Sequence, residues 1–77
     1  MTKSEFTAEF AEMLGIPPED LRPEIELGTI EMWDSVAWLS SLVLIEERLG
    51  ARVGWETVSR AQTFQDILAA VAAELEG

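Results

Sequence analysis

Ser35 is the residue on which covalent chemistry would turn. It stands in EMWDSVAWLSSL, residues 31–42, directly after Trp33 and Asp34. A serine hydroxyl attacks a substrate only when a neighbouring base, usually histidine and sometimes lysine, takes its proton. The chain holds no histidine, and its single lysine, Lys3, lies far away in sequence. The residues around Ser35 also lack the glycine-flanked elbow of the α/β-hydrolases. Paired carboxylates such as Glu46 and Glu47 suit acid–base work, but neighbouring acids on a helix ordinarily form a solvated face. Without cysteine there is no disulfide framework and no thiolate metal site. The chain is therefore expected to be no enzyme, with no catalytic residue and no metal. Ser35 is left either as an ordinary serine of a first helical turn or as a hydroxyl placed for another protein to reach.

The elements that would position this serine follow from the apolar pattern. Asp34 is a suitable N-cap, because its carboxylate accepts from free amides of a first helical turn, and Gly50 is a suitable stop. A helix is expected over Ser35–Leu49. Trp38, Leu42, Ile45 and Leu49 recur at spacings of four, three and four, and should face the core. Val36, Ser40, Val43 and Glu47 form a neighbouring stripe toward solvent, with Leu39 at its border. Ser35 itself is not needed as a cap, so its hydroxyl should be presented outward.

A first helix is expected over residues 2–14. Thr2 and Glu5 have capping-box spacing, Phe6, Phe10, Met13 and Leu14 make one apolar face, and Gly15 with Pro17–Pro18 ends it. Residues 15–33 read as a long loop pinned by Ile16, Leu21, Ile25, Leu27, Ile30 and Trp33, with one helical turn at PEDL. VGWETVSRA holds a turn or two anchored by Trp55 and Val58. Thr63 and Asp66 begin a last helix, which carries Phe64, Ile67, Leu68, Val71 and Leu75 and ends near Glu76. Nothing has strand periodicity. The expected fold is all-α: a bundle of three main helices and one short third helix, in a single domain over 1–77.

Composition bounds the partners. Of 77 residues, 48% are apolar, too many for a disordered chain. No apolar run is long enough for membrane insertion, and the N-terminus lacks a signal peptide's apolar core. Fifteen acids against five bases give a net charge of −10, which repels nucleic acid and anionic membranes and favours basic partners. Nine acids and two bases lie in the segment through Asp34. A cytoplasmic monomer is expected.

LGTIEMWDSVAWLSSLVLIEERLGARV, followed by TFQDILAAVAAEL, resembles the acyl carrier and peptidyl carrier proteins. Their pattern is a helix, a long loop, Asp-Ser-Leu opening the second helix, a short third helix and a Thr-capped fourth. Here Asp34-Ser35-Val36 stands in the place of Asp-Ser-Leu. The resemblance implies an acyl-carrier-like four-helix bundle. It also implies that a separate phosphopantetheinyl transferase moves 4′-phosphopantetheine from coenzyme A onto Ser35, with Asp34 as helix cap and part of transferase recognition. The arm supplies the thiol that the chain lacks and holds acyl or aminoacyl groups as thioesters. A helix N-terminus suits its phosphate.

The resemblance further implies that the second helix recognises partners, through Val36, Leu39, Ser40, Val43 and Glu47. Apolar residues would dock in pockets, and acids would pair with basic patches on a loading ligase and downstream biosynthetic enzymes. Fatty-acid carriers have more acids early in this helix, where Ala37 and Ser40 stand here. Trp38 is bulky for its place, and Arg48 interrupts the acidic run. This pattern looks like stand-alone carriers of secondary-metabolite or cell-surface pathways, some of which carry amino acids, D-alanine among them. The alternative class is an acidic helical adaptor that is never modified.

Overall fold

The computed structural model describes residues 1–76. Four α-helices follow one another: α1 Lys3–Leu14, α2 Ser35–Leu49, α3 Trp55–Ser59 and α4 Phe64–Ala70. No strand forms among the described residues; two isolated bridges, Thr2 with Glu76 and Glu26 with Thr63, tie irregular segments together. The all-α architecture expected from the periodicity is the one found.

The helix ends obey local chemistry. Thr2 Oγ1 accepts from the Glu5 amide at 3.1 Å, and Glu5 Oε1 accepts from the Thr2 amide at 2.8 Å, completing the capping box. Gly15 ends α1 at φ +72° and Gly50 ends α2 at φ +67°. Both lie in the left-handed region, where a side chain is strained. Asp66 accepts from the Gln62 and Thr63 amides at 2.9 and 3.1 Å and so fixes the start of α4.

The core is centred on three phenylalanines. Phe10 lies 5.7 Å from Phe6 and 5.2 Å from Phe64, measured between ring centroids, and all three are fully buried. Offset and tilted rings at these distances add to the gain from burial alone. The long loop contributes Leu21, Leu27 and Ile30 to the same core, while Ile16, Ile25 and Trp33 pack against it half-buried. Two short 3-10 turns punctuate the loop, Pro18–Asp20 and Leu27–Thr29; the first is the turn expected at PEDL. Backbone bonds from Leu27 to Gln62 (2.8 Å), Phe64 to Ile25 (3.2 Å) and Gln65 to Pro23 (2.8 Å) stitch it to the segment entering α4.

Three expectations change. The buried line of α2 runs through Ala37, Ser41 and Ile45, not through Trp38, Leu42, Ile45 and Leu49. Only Ile45 belongs to both; Trp38, Leu42 and Leu49 are half-buried flanks. The displacement is roughly 70° about the helix axis toward α1, at 3.6 residues per turn. Ser41 tolerates the core because its hydroxyl donates to the Ala37 carbonyl at 2.8 Å. Second, the last α-helix stops at Ala70; Ala72–Glu74 is a 3-10 turn, because the chain bends to let the Glu76 amide reach the Met1 carbonyl at 3.0 Å. Third, Trp55 anchors less than expected. It remains 42% exposed beside fully buried Val58, and meets Trp38 edge-on at 5.5 Å. The Trp38 indole N–H is buried there without a hydrogen-bond acceptor among the described residues.

Amide donation holds the carboxyls of Glu5 and Asp66 below their usual range. For Glu5 the main cause is the bond from the Thr2 backbone, and for Asp66 the bonds from the Gln62 and then the Thr63 backbone. A depressed folded-state pKa contributes stability above the unfolded value, near pH 4, that is lost as pH falls through the folded value. Asp66→Ala should therefore lower the urea midpoint at neutral pH. Its gap to the wild type should close as the pH is taken well below 4.

Candidate functional site

The site is built on the first turn of α2. Asp34 has extended backbone, and its Oδ1 accepts from the Val36 amide at 3.1 Å and the Ala37 amide at 3.0 Å. Its own carbonyl accepts from the Trp38 amide at 2.9 Å and opens the helical ladder. Two of the orphan amides of the helix start are thus already taken. The Ser35 amide is left without a partner among the described residues, as is the Ser35 hydroxyl. Ser35 is exposed, with a neutral, unhindered Oγ at the positive end of a fifteen-residue helix.

The five residues singled out on this helix come together. Val36, Leu39, Ser40, Val43 and Glu47 line one open groove of about 440 Å3 between α2 and α1. Val36, Leu39 and Val43 are 69%, 55% and 54% exposed, so Leu39 lies well outside the core border. Ser40 is half-buried at the groove floor instead of fully solvated. The sequence reading did not foresee the opposite wall, formed by Met13 and Glu9 of α1, or Leu44. It placed Met13 on the core face of α1, and Met13 does pack against the core while also reaching the groove. At the groove's far end Arg48 and Glu9 form a bidentate pair, Nε to Oε1 at 2.9 Å and Nη2 to Oε2 at 2.9 Å. These two residues stand thirty-nine positions apart, so no local spacing signals them.

On the other flank of α2, Trp38 lines a separate open cleft with Trp33, Gly28, Ser59 and Gln62. No described helix is long and apolar enough to cross a membrane.

No family model matches the chain, and no solved structure does. A curated protein does: the sequence is 38% identical over 71 residues to the acyl carrier protein MbtL of Mycolicibacterium paratuberculosis (strain ATCC BAA-968 / K-10), a match covering 83% of this chain and 80% of that one. The chain belongs to the acyl carrier protein family. Members of this family are carriers and not catalysts, which agrees with a serine that has no base. The helical fold of the carrier agrees with the same membership.

The cap and the serine should separate in stability measurements. Asp34→Ala removes both first-turn acceptor bonds and should cost about 0.5–2 kcal/mol in urea unfolding. Ser35→Ala removes no hydrogen bond and should leave the midpoint unchanged.

Proposed function

We propose that this carrier, one domain over residues 1–77, holds acyl or aminoacyl groups as thioesters on a 4′-phosphopantetheine arm attached to Ser35. The observation that carries the reading is the exposed, unbonded Ser35 hydroxyl on the first turn of α2, held there by the Asp34 cap. The residues fit the group. An exposed hydroxyl is open to a transferase that supplies the activating base. The Ser35 amide and the helix dipole favour a phosphate bonded to that oxygen. The arm would supply the thiol that no cysteine of this chain provides. Asp34 would serve twice, as cap and as part of the surface that the transferase reads.

The enzymes it works with are a phosphopantetheinyl transferase, a loading ligase and downstream biosynthetic enzymes. The absence of acids from Ser35 to Ile45 of α2, with Ala37 and Ser40 there and Arg48 later, supports a specialised pathway over general fatty-acid synthesis. MbtL, the similar protein, is named only as an acyl carrier, which agrees with a carrier of this class and leaves the cargo open.

Incubation with coenzyme A and a broad-specificity phosphopantetheinyl transferase tests the proposal. Intact mass should rise by one phosphopantetheinyl group in the wild type and not at all in Ser35→Ala. A folded wild-type chain that several such transferases leave unmodified would establish the unmodified adaptor instead.

A further inference from the structure

We infer that the cleft between the N-terminal half of α1 and the loop that follows α1 binds a small organic anion, held by Lys3 and Arg22. The ligand is a carboxylate or phosphate head on a short apolar body. This site is separate from Ser35, because no residue of α2 lines the cleft. Its first ground is which positive charges are left over. The chain has five basic side chains. Arg48, Arg52 and Arg60 pair with Glu9, Glu46 and Glu56. Lys3 and Arg22 have no ion pair and no side-chain hydrogen bond among the described residues. Both line this one opening, although nineteen positions separate them in sequence.

The cleft takes more than a bare ion. Its volume is about 770 Å3, within the span of small-molecule sites. Buried Leu21, with Ala8, Pro18 and Pro23, gives it an apolar lining. The two prolines have fixed φ, which stiffens the loop wall. Polar groups are few. The Ser4 hydroxyl has no hydrogen-bond partner among the described residues, and Thr7 Oγ1 donates to the Lys3 carbonyl at 2.8 Å. Apolar walls with a small number of polar and charged groups are the ordinary make-up of a ligand site.

Two acids share the lining, Glu19 and Glu76. Glu76 lies 4.0 Å from the Met1 ammonium, which leaves two cations facing one unpaired carboxylate. In a chain of net charge −10, that local excess of positive charge is what an anion can use. Lys3 brings three donors on a flexible stem, and Arg22 a planar fork that grips two oxygens. One belongs to α1 and the other to the loop, so an anion held by both ties the loop to the helix. A bare anion leaves Leu21 and the prolines uncovered. A neutral apolar molecule leaves the cations unpaired. A charged head joined to a short apolar body satisfies both.

The test titrates hexanoate, hexyl phosphate and neutral hexanamide into the folded full chain and follows backbone amides by NMR. At least one of the two acids should shift the Lys3, Ser4, Leu21 and Arg22 amides, with half-saturation at roughly 10 mM or below. The acid that binds more tightly identifies the head. Hexanamide should bind at least about fivefold more weakly, for want of a charged acceptor. Lys3→Gln and Arg22→Gln should each weaken the acid about threefold or more, and Glu19→Gln should strengthen it. Ser35→Ala should bind as the wild type does. Circular dichroism checks each fold; if a variant unfolds, the comparison of acid with hexanamide carries the result. Three outcomes overturn the inference: no shift with either acid at these concentrations, hexanamide binding as tightly, or shifts confined to the groove between α1 and α2. Each leaves the loading of Ser35 untouched, and a chain that is never loaded leaves this site standing.

Discussion

Phe10 is the point from which the position of Ser35 is set. Its ring touches Phe6 and Phe64 inside the core and Trp33 at 6.1 Å on the outer side. Trp33 immediately precedes Asp34, so a packing contact fixes the residue that caps α2. The cap in turn fixes where the helix begins and which way Ser35 faces. A chain of this length buries only about 60% of its unfolded surface, so its core has few side chains to spare. One consequence is that the long loop cannot hang free. Leu21, Leu27 and Ile30 are needed inside, and their burial draws residues 15–34 across the helices.

The α2 helix performs two tasks on different arcs of its surface. Ala37, Ser41 and Ile45 are small or slim enough to let it approach α1 and the core closely. Trp38, Leu42 and Leu49 brace its other flank, where Trp38 meets Trp55 of α3. The remaining arc is left to solvent. Apart from Ile45, the buried line is small, Ala37 and Ser41, while branched Val36, Leu39 and Val43 lie outward, which partly inverts the usual arrangement of a surface helix. The inversion leaves hydrophobic residues outside without loss of core packing, since the phenylalanines of α1 and α4 supply the bulk.

The parts of this fold written in short-range chemistry were legible in the sequence. Thr2 with Glu5, Asp34, Gly15 and Gly50 mark their helix ends because capping needs only residues a few positions apart. The placement of Ser35 on the first turn, and of Val36, Leu39, Ser40, Val43 and Glu47 along one groove, was legible for the same reason: a helix fixes their relation once its start is known. The rotation of α2 was not. Hydropathy ranks Trp38 above Ser41, and only the approach of α1 decides that a serine bonded to its own helix fits inside. The end of α4 escaped likewise. AAELE is a good helix-forming run, and a backbone bond to the other terminus overrides it. Met13, Glu9 and Arg48 join the groove across dozens of residues, and periodicity carries no such information.

The bridge between Thr2 and Glu76 has a mechanical consequence. Because the pairing is parallel, the first and last described segments of backbone lie side by side while their outer ends point in opposite directions. A pull on the two ends therefore loads this bridge in shear, along its length, instead of peeling it open. Ser35 takes no part in the bridge; its own cap and its own loop hold it.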